Sequence, residues 1–441
     1  MLYIDQPTQV GFSYDELING TASLGPDGET FLVEPGDFSE VIPESNLTHH
    51  VGTFSSQKLT QTPNTTAQAA HAFWHFAQTW FTEFPHYKPS DDRISLWAES
   101  YGGHYGPAFF HFLQQQNDKI ANGSSTEKDA HYLHLDTLGI VDGLLDMVIQ
   151  HESFISFPYN NTYGIQAINQ STYEELMHNW TRPGGCKAKV QACGAGLRDG
   201  GLGAVPGARP RVVRHRAPEA GPVPGAAHAH GYLRRGGVLS ALGVPVNHSM
   251  ASAATAAAFA GTFDFVRGGY LGAIAALLDG DGGVRVHLVY GDRDYASNWA
   301  GGEAASLAVP WRRAAEFAAA SYAPLLTPRE PPPNHGGGYG EEGGEGGGGC
   351  EYSGLTRQVG NFSFTRVFQA GHEVPSYAPG AAHAIFARAA SGRDIATGLV
   401  PVTDGLVTSG VRDAWTVRNA PPERPRPRCY ILKPESCLPE V

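Results

Sequence analysis

The stretch "LWAESYGGHYGP" (residues 96–107) places a serine, Ser100, between a short apolar run and a pair of glycines. The preceding "RISLWAE" predicts a buried strand, and the following "YGGHYGPAFFHFLQQQN" predicts a helix that begins with small residues. A strand, a sharp turn and a helix in this order lift a serine hydroxyl out of a sheet, as in the G-x-S-x-G elbow, with Ala98 here in place of the first glycine. The alternative is a serine in an ordinary turn.

Other segments repeat this pattern and predict the fold class. The segments "HLDTLGIVDGLLD", "VRVHLVYGDRD" and "FSFTRVFQAGHEV" each read as an apolar strand that runs into a polar turn, and "TAQAAHAFWHFAQTWFTEFP" (residues 66–85) has the spacing of a helix with one buried face. "MLYID" also predicts a strand, and residues 14–60 predict a polar surface loop. Strands that alternate with helices indicate an α/β fold with a mostly parallel central sheet, whose functional residues gather at the carboxyl ends of its strands.

The whole chain, residues 1–441, is interpreted as one domain with two interruptions. Residues 151–235 predict a cap or insertion region. Within it, residues 194–230 use a narrow set of amino acids without Ser, Thr, Lys or aromatic residues, which suggests translation out of frame; the alternative is a genuine Gly/Pro/Arg-rich loop. Residues 331–354 predict a low-complexity, glycine-rich loop.

Charge and targeting signals restrict the class of protein. The net charge of −12 without runs of like charge argues against nucleic acid or an anionic membrane as partner, and no apolar run is long enough to span a membrane. The first residues lack the features of a signal peptide. Asn-x-Ser/Thr sequons nevertheless predict a secreted or vacuolar glycoprotein whose N-terminus is incomplete here. The predicted glycan acceptors are Asn19, Asn46, Asn64, Asn122, Asn160, Asn169, Asn179, Asn247 and Asn361.

The five cysteines leave at least one without a partner in this chain. Cys186 with Cys193, and Cys429 with Cys437, are close enough in sequence to close small loops; free thiols are the alternative.

Three residues fit a nucleophile, a base and an orienting acid. Ser100, Asp294 and His372 each follow a predicted strand, and their order along the chain is that of α/β-hydrolases. A serine needs a base to take its proton and an acid to orient that base. Taken separately, Asp294 or Asp292 would cap a turn, and His372 would be one of nineteen histidines.

The sequence resembles the serine carboxypeptidase family, in particular its acid carboxypeptidases from filamentous fungi. The matching motifs are "LYIDQPTQVGFSY", "WAESYGGHYGP", "GDRDYASNWAGGEA" and "FQAGHEVPSYAP". The resemblance implies an α/β-hydrolase fold and release of C-terminal residues from peptides through an acyl-enzyme at acidic pH, without a cofactor or a metal. The partners it implies are the C-termini of peptides or proteins.

The resemblance also assigns roles to residues. It makes Ser100 the nucleophile, His372 the general base and Asp294 the orienting acid, and leaves Asp292 as a turn residue. The backbone N–H of Tyr101 becomes an oxyanion donor. Glu99, held protonated, helps to bind the carboxylate of the substrate; a neutral carboxylic acid donates a hydrogen bond to that group, whereas an ionised one would repel it.

Two departures from the family pattern change the expectation for this chain. Ser297 stands where a cysteine is usual, and a "NGGPGCSS"-like loop, which supplies a second oxyanion donor, is not found. The resemblance therefore implies a gap in the sheet between the "MLYID" strand and the strand before Ser100, and a chain that is inactive by itself. The alternatives are an acyltransferase of the same family and a non-catalytic product of a truncated gene model.

Overall fold

The structure is a computed structural model of the 441-residue chain, and it describes residues 1–24, 31–46, 49–198, 231–328 and 349–421. Its strands are β1 (Leu17–Leu24), β2 (Phe31–Pro35), β3 (His49–Ser55), β4 (Ile94–Glu99), β5 (Leu135–Val141), β6 (Arg285–Gly291), β7 (Ala323–Pro328), β8 (Cys350–Val359) and β9 (Phe362–Val367). Its helices are α1 (Thr66–Glu83), α2 (Gly102–Ala121), α3 (Met147–Ser156), α4 (Gln170–Thr181), α5 (Cys186–Arg198), α6 (Gly236–Leu242), α7 (Ala253–Thr262), α8 (Tyr270–Asp279), α9 (Trp299–Leu307), α10 (Ala314–Ala319), α11 (Val374–Tyr377) and α12 (Pro379–Ala390). Two 3₁₀ turns cover Asp264–Val266 and Ala414–Thr416.

The central sheet has six described strands in the order β4-β5-β6-β9-β8-β7. The first four are parallel to their neighbours, whereas β8 runs antiparallel to β9 and β7 antiparallel to β8. All residues of β5 and β9 are buried, as parallel strands covered on both faces must be. The predicted mostly parallel sheet is confirmed, as are strands β4, β5, β6 and β9 and helices α1 and α2.

Alternate residues of β6 face two separate hydrophobic cores. Val286, Leu288 and Tyr290 join the larger core, to which α1, α2, α8 and α9 contribute. Val289 points to the other face and joins the smaller core formed with α11 and α12. The sheet is therefore a middle layer between two layers of helices, and its strand ends are held rigidly from both sides.

The prediction of a strand at residues 1–5 was wrong. These residues adopt no regular structure, and Met1 and Tyr3 are 88% and 86% exposed. Within the described residues, β4 is the edge of the central sheet, so a gap inside the sheet is not observed. A strand needs a neighbour for its N–H and C=O groups, and none of the described strands lies beside residues 1–5.

Residues 14–60 were predicted to be a surface loop, and this was also wrong. They contain the antiparallel sheet β2-β1-β3. Ala22 and Phe54 form its small buried core, with Ile18 and Val33 packed against them. Each strand contributes only one or two apolar side chains on the covered face. The alternation of apolar and polar residues that would predict a strand is therefore hidden among polar residues and glycines.

The insertion region and the glycine-rich loop are described only in part. Helices α4 and α5 lie inside residues 151–235, whereas residues 199–230 of the anomalous segment are outside the described residues. Residues 331–348 are also outside them, and β8 already begins at Cys350, so the loop predicted to reach residue 354 ends earlier. The division of the domain stays a prediction.

A disulfide between Cys186 and Cys193 is contradicted by the structure, in which Cys186, Cys193 and Cys350 are free. Cys186 and Cys193 lie on helix α5, and seven residues of helix separate two Cα atoms by about 10 Å, beyond the reach of a disulfide. Cys429 and Cys437 lie outside the described residues. Among the helices that the structure describes, none combines the length and the apolar character needed to cross a bilayer.

Candidate active site

Four polar residues follow the carboxyl ends of four adjacent parallel strands. Ser100 follows β4, Asp142 follows β5, Asp294 comes three residues after β6, and His372 comes five residues after β9. Because neighbouring strands are spaced about 4.8 Å apart, residues at the same edge of four such strands converge on one small region. Three of the four were predicted from the sequence.

Ser100 occupies a strained turn. Its φ of 60° lies in the left-handed region, which is costly for a residue with a side chain. Its N–H donates to the carbonyl of Val141 (2.9 Å), and its carbonyl accepts from the N–H groups of Gly103 and Leu144 (3.0 Å each). A Cβ on Gly102 would lie 2.6 Å from that of Ala98, so Ala98 fits here because residue 102 is glycine. The turn has the strand–turn–helix geometry that the sequence predicted for a nucleophile elbow.

Tyr101 links the elbow to helix α2. It is the N-cap residue of α2, and within the described residues its backbone N–H donates no hydrogen bond. The positive end of the helix dipole is thus beside Ser100. The Tyr101 hydroxyl donates to the buried carboxylate of Asp264 (2.8 Å), a contact that the sequence did not reveal because 163 residues separate the two.

The imidazole of His372 is oriented by Asp294. The Nδ1–H of His372 donates to Oδ2 of Asp294 (2.7 Å), which also accepts from the backbone N–H of Ser297 (2.9 Å), and the N–H of Ala296 donates to Oδ1 (2.8 Å). Burial by itself would lower the pKa of His372, but the hydrogen bond and charge of Asp294, together with the charges of Glu99 and Glu373, raise it above its usual value. With Nδ1 occupied, Nε2 is the nitrogen left to accept a proton.

The structure brings His372 and Asp294 into contact but not Ser100 and His372. Within the described residues no hydrogen bond joins the Ser100 hydroxyl to the imidazole. Such bonds are often long in hydrolases without substrate and tighten when the substrate binds.

Glu99 lies at the end of β4, directly before Ser100. Although the residue is exposed over part of its surface, burial among neighbouring atoms raises the pKa of Glu99 to about 7; His372 opposes this shift, and the charges of Glu373 and Asp294 add to it. A carboxyl group with this pKa is neutral in mildly acidic solution and can donate a hydrogen bond.

Asp292 is more than the turn residue that the resemblance implied. Its carboxylate and the guanidinium of Arg366 form an ion pair at 3.1 Å, with both side chains fully buried. The carboxylate also accepts from the Tyr163 hydroxyl (2.6 Å), the Asn419 amide (2.7 Å) and the N–H of Gln369 (2.8 Å). These partners are far apart in sequence, so no local pattern marks Asp292.

Asp142 is the residue at this edge that sequence analysis missed. It is fully buried, has a φ of 44°, and accepts the N–H of Gly291 at Oδ1 (2.9 Å). Its other oxygen, Oδ2, has no hydrogen-bond partner among the described residues. The sequence feature that could have identified Asp142 is the polar turn "DG" directly after strand β5. Polar turns after predicted strands also identified Ser100, Asp294 and His372.

Asp142, Asp294 and His372 each place one potential ligand atom within 4.8 Å of the others, and they are the only such group in the described part of the chain that could hold a metal ion. Within this group, Nδ1 of His372 is hydrogen-bonded to Oδ2 of Asp294 at 2.7 Å. This contact is the one expected between a base and the acid that orients it.

The predicted glycan acceptors differ in their accessibility. Asn361 donates from Nδ2, the nitrogen that would carry a glycan, to the carbonyls of Leu278 (3.3 Å) and Val284 (2.9 Å), so glycosylation would break both bonds. Glycan attachment stays a prediction, with better access at the exposed residues Asn19, Asn46, Asn122, Asn160 and Asn169.

The family model of serine carboxypeptidases matches residues 1–202 and 208–392, which include Ser100, Asp294 and His372. The chain belongs to the serine carboxypeptidase family. The predicted enzyme class is thereby confirmed.

Three relatives show the extent of the similarity of this serine carboxypeptidase to known proteins. Carboxypeptidase S1 homolog A of Arthroderma benhamiae is 40% identical over 474 residues, which cover 100% of this chain and 68% of the relative. Carboxypeptidase Y homolog of the same organism is 38% identical over 436 residues, covering 91% and 64%. Carboxypeptidase S1 of Penicillium janthinellum is 28% identical over 395 residues, covering 86% and 74%.

Among solved structures, the chain resembles Kex1Δp, a prohormone-processing carboxypeptidase from Saccharomyces cerevisiae. The TM-score is 0.50 at 14% sequence identity, and the match covers 76% of this chain and 69% of that structure. At this identity the likeness concerns the fold, and together with the mostly parallel sheet it confirms the α/β-hydrolase fold.

Proposed function

We propose that this serine carboxypeptidase releases C-terminal residues from peptides with Ser100 as nucleophile, His372 as general base and Asp294 as orienting acid. The observation that carries the proposal is the hydrogen bond of 2.7 Å between His372 and Asp294, at the same sheet edge as the strained elbow of Ser100. A strained backbone that three hydrogen bonds maintain is typical of a functional site.

The reaction follows from these positions. Nε2 of His372 takes the proton of the Ser100 hydroxyl while Oγ attacks the carbonyl carbon of the last peptide bond. The Tyr101 N–H donates to the oxygen that becomes negative. His372 then gives the proton to the nitrogen of the departing C-terminal residue, and the bond between that nitrogen and the carbonyl carbon breaks. Water, with its proton taken by His372, hydrolyses the acyl-enzyme and regenerates Ser100.

Glu99 provides the selectivity for a free C-terminus. While protonated, it donates a hydrogen bond to the terminal carboxylate of the substrate. Since the charge of Glu99 is one of the causes that raise the pKa of His372, protonation of Glu99 also lowers that pKa and makes the base available at lower pH. Both effects favour activity in mildly acidic solution.

The test compares the purified protein with its Ser100→Ala variant. The wild type should release the free amino acid from an N-blocked dipeptide, whereas the variant should not, and a fluorophosphonate should label the wild type alone. Equal labelling of both proteins would contradict the role of Ser100. The sequence-based prediction that this chain by itself is inactive requires the opposite result, release by neither protein, and the same comparison decides between the two.

A secreted or vacuolar location is also part of the proposal. It is supported by the nine sequons, several of them on exposed residues. Endoglycosidase treatment of protein purified from the native host should increase its gel mobility, and an Asn122→Gln variant should lack one glycan. Unchanged mobility would contradict passage through the secretory pathway.

A further inference from the structure

Asp264 begins the 3₁₀ turn that precedes α8, and its carboxylate connects three parts of the chain. The residue is fully buried. Oδ2 accepts hydrogen bonds from the hydroxyl of Tyr101 (2.8 Å) and from that of Thr66, the first residue of α1. Arg267 pairs with Oδ1 at 3.4 Å. The carboxylate therefore ties the residue that follows the nucleophile to α1 and to the 3₁₀ turn.

The aromatic ring of Tyr101 is also enclosed. It stacks on the imidazole of His104 with 4.5 Å between the ring centroids. It meets the rings of Tyr105 and Phe259 edge-on, at centroid distances of 5.1 Å and 6.0 Å. These ring contacts and the hydrogen bond to Asp264 together fix the Tyr101 side chain.

His104 gives the same 3₁₀ turn a second connection to the turn at Ser100. Nε2 of His104 lies 3.2 Å from the carbonyl oxygen of Phe265, and Nδ1 lies 2.6 Å from that of Leu144. The N–H of Leu144 in turn donates to the carbonyl of Ser100 (3.0 Å). The carbonyl of Ser100 and the side chain of Tyr101 are thus both connected to the 3₁₀ turn.

The backbone N–H of Tyr101 depends on such connections for its direction. It donates no hydrogen bond within the described residues, and no side chain caps α2 at this residue. Its peptide plane follows Ser100, whose φ of 60° is strained. A strained turn keeps its geometry only where the surrounding contacts enforce it.

We propose that Asp264 is a positioning residue: through the Tyr101 hydroxyl, it keeps the Tyr101 N–H aimed at the oxygen that becomes negative during the reaction. This inference rests on the proposed function, in which that N–H is the oxyanion donor. The donor stabilises the charge that develops in the transition state, so a badly aimed donor lowers kcat and leaves KM unchanged. Asp264 therefore acts on the rate through Tyr101, without contacting the substrate.

Tyr101→Phe tests the contact most directly, because it removes the hydroxyl and keeps the ring. Tyr105→Phe is the matched control, since Tyr105 lies on the same helix and its hydroxyl donates no hydrogen bond to the described residues. Asp264→Ala removes the acceptor, and the double variant Tyr101→Phe/Asp264→Ala completes a double-mutant cycle. If Asp264→Ala does not fold, the two phenylalanine variants decide by themselves.

The first measurement is kcat and KM for an N-blocked depsipeptide, in which an ester replaces the last peptide bond and the terminal carboxylate is free. Tyr101→Phe should lower kcat by about tenfold and leave KM within about twofold, a smaller loss than removal of a donor causes. Tyr105→Phe should match the wild type. In the Asp264→Ala background, Tyr101→Phe should change kcat by less than about twofold, because the hydrogen bond is already absent. Equal kcat in the two phenylalanine variants, or losses that multiply in the double variant, would overturn the proposal.

The second measurement separates a badly aimed donor from a displaced nucleophile. In the thiono form of the depsipeptide, sulfur replaces the oxygen that accepts from the Tyr101 N–H, and sulfur is a weak acceptor. A badly aimed donor slows the oxygen substrate more than the sulfur substrate. The ratio of their kcat/KM values should therefore be about fivefold lower in Tyr101→Phe than in the wild type. A lower kcat with an unchanged ratio would mean that the hydroxyl positions Ser100 instead of the donor, which refutes the proposal.

The third measurement needs no activity. Amide hydrogen exchange at Gly103 and Leu144, whose N–H groups donate to the carbonyl of Ser100 (3.0 Å each), reports how firmly the turn is held. Exchange at both amides should be about tenfold faster in Tyr101→Phe than in the wild type and the control, whereas Leu288 in β6 should exchange equally in all proteins. If no protein is active but exchange changes in this way, the proposed function is wrong and the support of the turn stands. Equal exchange at both amides in all proteins would refute that support.

Discussion

Asp292 and Asp294 are two residues apart in the same loop, yet their carboxylates serve different parts of the protein. Asp294 accepts from the imidazole of His372 at 2.7 Å, at the sheet edge where Ser100 follows β4. Asp292 pairs with the guanidinium of Arg366 at 3.1 Å, in the closed interior behind the sheet edge. We therefore expect substitutions at the two positions to separate catalysis from stability.

Replacing Asp294 with asparagine should abolish most catalysis without unfolding the protein. The amide cannot hold Nδ1 as the donor, so the imidazole presents the wrong tautomer to Ser100, and kcat or the rate of phosphonate labelling should fall by about 10⁴. The asparagine oxygen can still accept the hydrogen bond from the Ala296 N–H, so the loop after β6 should keep its conformation. A variant that labels within about tenfold of the wild type would contradict the assignment of the acid.

Replacing Asp292 with asparagine should mainly reduce stability. Arg366 would remain fully buried without its counter-charge, and breaking a buried pair from one side costs about 3–5 kcal/mol. Urea denaturation of wild type, Asp292→Asn and Asp294→Asn measures the difference. A loss below about 1 kcal/mol for Asp292→Asn would mean that the bonds of Arg366 to Thr162 and Ala414 are sufficient by themselves.

Replacing Glu99 with glutamine should remove one pH dependence of substrate binding. Because the pKa of Glu99 is raised to about 7, the neutral donor is present below that pH and is lost above it. KM for a substrate with a free C-terminal carboxylate should therefore rise by up to about tenfold per pH unit above neutrality in the wild type, and stay level in the variant. The same peptide with an esterified C-terminus is the control; if its KM rises equally, Glu99 does not contact the carboxylate.

Replacing Ser100 with glycine should stabilise the protein relative to Ser100→Ala. Both variants lack the hydroxyl, but only glycine adopts the φ of 60° without strain, and we expect a difference of about 1 kcal/mol in the free energy of unfolding. Ser95, in the extended part of β4, is the matched position, where glycine should be less stable than alanine. If the glycine variant is less stable than the alanine variant at both positions, the elbow stores no strain.

Local features of the site were predictable from the sequence. The run before Ser100 and the small residues after it specify a strand, a turn and a helix through contacts a few residues apart, such as Ala98 against Gly102. For the same reason β5, β6 and β9, each with several apolar residues within six or seven positions, were predicted with the polar residues that follow them. The strands β1 and β3 were missed because their few buried side chains, Ala22 and Phe54 among them, become a core only when the strands pair.

The sequence by itself determined the turn at Ser100, and it placed Ser100, Asp294 and His372 in this order after predicted strands, since these features depend on short-range sterics and on the apolar pattern. Only the tertiary structure showed which groups the acids contact. It gave Asp294 the imidazole of His372 and Asp292 the guanidinium of Arg366, and it placed Asp142 with an orphaned oxygen beside His372. Those contacts bring together residues 74 to 78 positions or more apart, which no local pattern records.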